Sequence, residues 1–213
     1  MAKTRRSARA RPRSRSETKQ ATRAALVSAA TREFAEHGLD ASLDAVCARA
    51  GLTRGAFYVH FADREALIVA VMEHVLGGFV QLLTGPGTRP PSLAEAARVF
   101  FAAAKAGAPV VRGGPGVRFH HLMEACQRSP RLGETYRMLV LGGRDQLAAT
   151  IAAEQRAGSA RADVAASALA DLLLTVVLGT IASFELDLPI DLERLEATAR
   201  SLVLASTPKR LQE

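Results

Sequence analysis

The chain has 213 residues, 48% of them apolar, with no Trp, two Cys and a net charge of +7. That length allows one large domain or two small ones, and an apolar share carried by Ala, Leu and Val favours helix over sheet. The longest uncharged apolar stretch of the C-terminal half, Leu172 to Phe184, falls short of the roughly 20 residues that span a bilayer, so it is expected to be a buried helix and no membrane partner is expected.

No Val/Ile/Thr run alternates with period two, so the expected fold class is all-α, with about nine helices. The arginine-studded N-terminus has no apolar core of the secretory type. Cys47 and Cys126 lie far apart at apolar helical positions, which reads as reduced, buried thiols in a cytoplasmic protein. The charge is uneven. Residues 1–23 hold nine Lys/Arg and one acid, a local +8, and the other 190 residues net −1. Residues 1–16, rich in Arg, Ser and Pro, read as a disordered basic tail. Such a tail can be a solubilising end, or an arm that follows DNA phosphates and adds affinity without sequence preference.

A helix is expected from about Glu17, with Leu26, Ala30 and Phe34 on one face and Gly38 as its C-terminal cap. Ser42 is placed to cap a second helix, whose Leu43, Val46, Cys47 and Ala50 form one apolar stripe. Gly51 supplies a tight turn. Thr53 caps a third, short helix to about Val59, with Phe57 and Phe61 pointing inward. Asp63 caps a fourth, in which Leu67, Ala70, Val71, His74 and Val75 share a face. Two short helices joined by a tight turn, the second carrying outward polar and basic groups, form a helix-turn-helix. That element lays one helix in the major groove of duplex DNA.

Gly85-Pro86-Gly87 and Pro90-Pro91 form the clearest break. Five further helices are expected at about 92–106, 116–128, 130–157, 163–187 and 191–205, punctuated by Gly113-Gly114-Pro115-Gly116 and Gly158. The pair Gly142-Gly143 inside the third of these predicts a kink or close packing. The fourth is apolar nearly all round and must be covered all round. In the last, Leu192, Leu195, Ala199 and Leu202 form a narrow seam. Leu172, Val176 and this seam are the expected homodimer interface, with closure of the chain's own core as the alternative.

The segment from about Thr22 to Val75 resembles the DNA-binding domain of TetR-family transcriptional regulators. The residues that carry the likeness are Phe34 to Gly38 and Ala50-Gly51-Leu52-Thr53-Arg54-Gly55-Ala56-Phe57-Tyr58-Val59-His60-Phe61-Ala62-Asp63-Arg64-Glu65, about a quarter of the chain. The resemblance implies a DNA-binding domain over 17–62 and an effector-binding and dimerisation domain over 63–206. It implies contacts to DNA from Ser42, Thr53, Arg54, Gly55, Tyr58, His60 and Arg64: Ser42 and Arg64 to phosphate, Arg54 to a guanine edge or phosphate, Tyr58 and His60 to the sugar-phosphate backbone. Ala56 stands where many relatives carry Ser or Thr, so no base contact is assigned there. Double-stranded DNA, a small-molecule effector and a second copy of the chain are the expected partners.

Phe100, Phe101, Phe119, His120, Met123 and Tyr136 mix aromatic, Met and His character on neighbouring helices, as an apolar pocket with a few polar anchors does. Ordinary core is the competing reading for each. His120 and Glu124 are one helical turn apart, but two ligands fall short of a zinc set, so no metal is expected. No cofactor is expected either. There is no phosphate loop, nucleophile elbow or Cys-x-x-Cys, and an enzyme is not expected. The expected function is a sequence-specific regulator, a repressor released from a palindromic operator by its effector. The alternatives are nonspecific DNA binding through the tail, or a helical ligand carrier or enzyme.

Overall fold

In the computed structural model the described residues are 14–84, 91–106 and 117–204, with only the backbone of 79–84 described. The expected tail up to residue 13, the Gly85–Pro90 break and the Gly113–Gly116 stretch lie outside them. Nine helices are present among the described residues. They are α1 (Arg15–His37), α2 (Leu43–Arg49), α3 (Arg54–His60), α4 (Arg64–Thr84), α5 (Leu93–Lys105), α6 (Phe119–Arg128), α7 (Pro130–Arg156), α8 (Ala166–Glu185) and α9 (Leu192–Val203). The described residues form no named strand. One isolated antiparallel bridge, Ala160 to Leu204, ties the α7–α8 loop to the end of α9.

The helix starts follow local chemistry. The hydroxyl of Ser14 accepts from the Glu17 N–H at 3.2 Å while the Glu17 carboxylate accepts from the Ser14 N–H at 2.7 Å. This reciprocal cap starts α1 two residues before the expected Glu17. Ser92 and Glu95 repeat the arrangement on α5. Asp63 accepts from the Ala66 N–H at 2.6 Å and starts α4, as expected. Gly38 closes α1 at φ 78°, and Gly51 takes φ 67° between α2 and α3, backbone geometry that a side chain would strain.

The largest core joins α1, α2, α3 and α4 to α6 and the start of α7. Leu26, Ala30, Phe34, Val46, Phe57, Leu67 and Val71 are fully buried in it. Leu122 and Leu132 enter it from α6 and α7. A single core thus crosses the boundary expected at residue 63. His74, expected on the inner face of α4, is exposed; Met72 is buried with the expected Val75. Helix α7 runs unbroken through Gly142-Gly143, with Gly143 buried. Two smaller clusters lie in the distal half. One joins α5, α7, α8 and α9 around Ile151, and the other joins α5 and α9 around Phe100 and Phe101.

The expectation that α8 is buried on every side is corrected. Only 17% of its apolar window is buried within the chain, although by length and composition it could cross a membrane. One side packs along α7, where the Arg144 guanidinium bonds both Asp171 oxygens at 2.8 and 3.1 Å. Ala168, Leu172, Thr175 and Gly179 are exposed along another.

Candidate DNA-binding face

Helix α3 is held as a rod by what lies behind it. Phe57 is fully buried and stacks on Phe61 with ring centroids 5.6 Å apart. The guanidinium of Arg23, from α1, lies 5.1 Å from the Phe61 ring centroid, a cation–π contact. From the other side Arg49 at the end of α2 bonds Glu33 on α1 at 2.5 Å and also pairs with Glu36. Glu33 is buried, so this is a structural lock between α1 and α2. Its signal in sequence was two acids one turn apart on α1 facing a basic residue in the last turn of α2. Glu33, Glu36 and His37 are close enough to hold a metal ion. Arg49 occupies both carboxylates, so ion pairing accounts for the cluster.

The outward side of α3 presents Thr53, Arg54, Gly55, Tyr58 and Val59, all exposed. Thr53 is its N-cap and accepts from the Ala56 N–H at 3.2 Å. Ser42 caps α2 in the same way, accepting from the Ala45 N–H at 3.1 Å. Each hydroxyl keeps its own proton to donate to a phosphate. Gly55 has only the Thr53 hydroxyl within reach of an added Cβ, at 3.8 Å, so its outer side is open to a close backbone approach. Val59, at 67% exposed, was not singled out in the sequence. An exposed β-branched side chain beside Tyr58 suits a thymine methyl.

Arg54 reaches across to Asp44 on α2 at 3.2 Å. The Tyr58 hydroxyl first, and then Asp44, push its pKa further above the already high arginine value. Both partners of the ion pair are more than half exposed, so the pair is weak and the guanidinium can exchange it for a base edge or a phosphate. Beneath this pair Cys47 is buried, and burial followed by the Asp44 charge pushes its thiol up. It is a packing residue, not a nucleophile.

His60 and Arg64 sit differently. His60 ends α3 half-buried, with its Nδ1 buried and unpaired among the described residues. Arg64 turns into the domain. Its guanidinium donates to the Leu39 carbonyl and, at 2.6 Å, to the Ala41 carbonyl, and lies 5.7 Å from the Phe34 ring centroid. It clamps the α1–α2 loop that sets the angle of α2. Arg15 and Lys19 stand exposed on the first turns of α1, extending the basic character of the tail along a helix.

Comparison with known proteins bears on this face. The model of bacterial regulatory proteins of the tetR family matches residues 26–71, a stretch that runs from within α1 into α4 and includes the outward row on α3. The likeness to these regulatory proteins covers that stretch alone. Solved structures match most of the chain's length. A TetR-family transcriptional regulator from Cytophaga hutchinsonii is 19% identical, with 92% of this chain and 100% of that one covered, at a TM-score of 0.70. Salmonella enterica GusR is 22% identical, covering 86% and 95%, at 0.67. SmeT, the repressor of the Stenotrophomonas maltophilia multidrug efflux pump SmeDEF, is 24% identical, covering 92% and 98%, at 0.57. At these identities the structures establish the fold alone. Among curated proteins, no relative matches the sequence.

The residues expected to line an effector pocket do not come together. Phe100 and Phe101 sit edge-on at 5.1 Å on α5 and line a cavity against α8 and α9. Met123 and Tyr136 pack against the large core instead. Burial, with Cys126 second, pushes the Tyr136 hydroxyl up. Phe119 is half-buried at the start of α6. His120 is at the surface, its Nδ1 2.8 Å from Glu185, while Glu124 pairs with Arg128. The physical reason is that α6 packs on α7 and α8 and turns Leu122 into the large core, away from α5.

The expected dimer set also divides. Leu172 and Leu202 are open, each 39% exposed. Val176, Leu192 and Leu195 pack half-buried against Phe100 and Phe101, and Ala199 is buried with them. Within the single chain, the buried part of the α9 seam packs on Phe100 and Phe101, and Leu202 stays open.

Proposed function

We propose that the chain acts as a homodimeric repressor on a pseudo-palindromic operator, reading each half-site with α3. The observation that carries this is the outward row Thr53, Arg54, Gly55, Tyr58 and Val59 on a rod braced from behind by Phe57 and Phe61. Arg54 leaves Asp44 for a guanine edge or phosphate, Val59 meets a thymine methyl, and Ser42, Thr53 and Tyr58 position the backbone. Arg64 acts from inside by holding the α1–α2 loop. The partner subunit covers the open stripe Ala168, Leu172, Thr175 and Gly179 of α8, whose small residues allow close approach across a two-fold axis. Dimer symmetry then sets half-sites about one DNA turn, roughly 34–36 Å, apart. An effector bound in the distal half favours a dimer with wrongly spaced α3 helices, which requires different affinity for the two states.

The test is a binding titration with duplexes from a randomised palindrome selection, at moderate salt. The expected outcome is a two-fold-symmetric preferred site whose affinity falls when either half is scrambled. Removing residues 1–13 should weaken binding to every duplex alike and leave the preference intact. Equal affinity for all duplexes, abolished by the truncation, would identify nonspecific binding through the tail.

A further inference from the structure

The cavity against Phe100 and Phe101 has a chemistry of its own. It has a volume of about 60 Å³ and lies between α5, α7, α8 and α9. Its wall includes Ala97, Phe100, Phe101, Leu173 and Val177, and its one charged lining residue is Arg200 on α9. Arg200 is exposed and also lines the adjoining surface hollow beside Lys105, Glu193 and Glu196. Among the described residues it forms no ion pair. The neighbouring acid Glu196 is engaged by Lys105 at 3.0 Å, which leaves the Arg200 guanidinium as the cation at the mouth of an apolar hole.

The geometry points to a short-chain aliphatic carboxylate as the ligand class of this site. The tail enters between α5 and α8, and the carboxylate meets Arg200 as a two-oxygen partner for its planar fork. The cavity decides the tail. An enclosed apolar cavity of about 150 Å³ accepts benzene, and this hole, less than half as large and open at its mouth, buries only the first few methylenes of a tail. The mouth decides the head, because an amine of equal length meets a like charge and an alcohol forgoes a charge-assisted bond. This inference rests on the reading of the distal half as the effector-binding half, and gives that effector a chemistry.

Calorimetric titration of the full-length protein with hexanoate, 1-hexanol, hexylammonium and acetate tests it. Hexanoate should bind at least tenfold more tightly than hexanol, and hexylammonium and acetate should be weakest. From acetate to hexanoate, affinity should rise by up to about fourfold per added methylene until the cavity is full. Arg200→Gln should remove the preference for hexanoate over hexanol. Ala97→Phe, which fills the hole, should abolish hexanoate binding with helical circular dichroism unchanged. Hexanol binding as well as hexanoate, a preference that survives Arg200→Gln, hexanoate binding unchanged in a folded Ala97→Phe protein, or no heat from any probe would each overturn the assignment. Operator binding is read on the same samples. A protein that selects a palindrome but ignores hexanoate loses this inference alone. One that binds hexanoate but selects no duplex keeps the site and loses the regulator reading.

Discussion

The two halves of the molecule meet their apolar surface in opposite ways. Under α3 the core is closed by five other helices, and Phe34, Phe57, Leu67 and Val71 have no exposure left. In the distal half α8 keeps an open stripe, and the clusters around Ile151 and Phe100 are small. The contrast teaches where each half gets its order. The half that carries α3 can hold its shape as a single chain, because its apolar residues already have partners. The distal half leaves apolar surface that only another body can remove from water, which makes its geometry responsive to what binds there.

The largest effect should therefore follow from opening the closed side. Phe57→Ala removes a fully buried ring behind α3 and is expected to cost about 3–5 kcal/mol. The urea midpoint should fall sharply, and DNA binding should be lost with it. If the variant stayed near wild-type stability, α3 would not be held by the core as described. On the open side the expected loss is of association, not of folding. Leu172→Arg puts a charge into the α8 stripe of both copies, and like charges meeting at an interface cost several kcal/mol. Sedimentation should show a folded monomer with greatly weakened operator binding. A dimer that survives this change pairs through some other surface.

Arg64 sharpens the line between holding the face and touching DNA. Its hydrogen bonds to the Leu39 and Ala41 carbonyls predict that Arg64→Ala destabilises the fold by about 1.5–3 kcal/mol. The salt dependence of DNA binding should not change. A residue that neutralises a phosphate behaves the other way, lowering the salt slope by about one with little effect on folding.

How far the sequence disclosed this depends on the range of the interactions. The helices around the turn were legible because their determinants are local: Ser42, Thr53 and Asp63 cap within three residues, and Gly51 turns on its own backbone freedom. The outward row on α3 was legible for the same reason, as was the inward pointing of Phe57 and Phe61. The effector pocket was not. Phe119, His120, Met123 and Tyr136 have the right chemistry, but which wall they reach depends on how α6 rolls against α7 and α8, and periodicity cannot say that. The α9 seam is ambiguous for a like reason, since an apolar stripe serves its own chain or a partner equally well. The clamp made by Arg64 was not legible, because its carbonyl partners lie 23 and 25 residues away.

The junction between the halves carries the smallest and most specific effect. Glu185, at the end of α8, accepts from the His120 N–H at 3.0 Å and from the Phe119 N–H, and lies 2.8 Å from the His120 ring nitrogen. It thereby caps α6, and the next residue, His121, lays its ring 3.3 Å from where a Cβ on Gly38 would sit. Burial alone would raise the Glu185 carboxyl, but the bonds from His120 and Phe119 outweigh it and hold the carboxyl below the usual glutamate range. A carboxylate with a depressed folded pKa contributes stability above its unfolded value, about 4.3, and the contribution fades as pH falls through the lower folded value. Glu185→Gln should therefore cost about 0.5–1 kcal/mol at pH 7, and its gap from wild type should close between about pH 5 and pH 3. Urea midpoints across that range measure it. A gap that stays constant to pH 3 would mean that shape, not charge, joins α8 to α6, and the two halves would then communicate through packing alone.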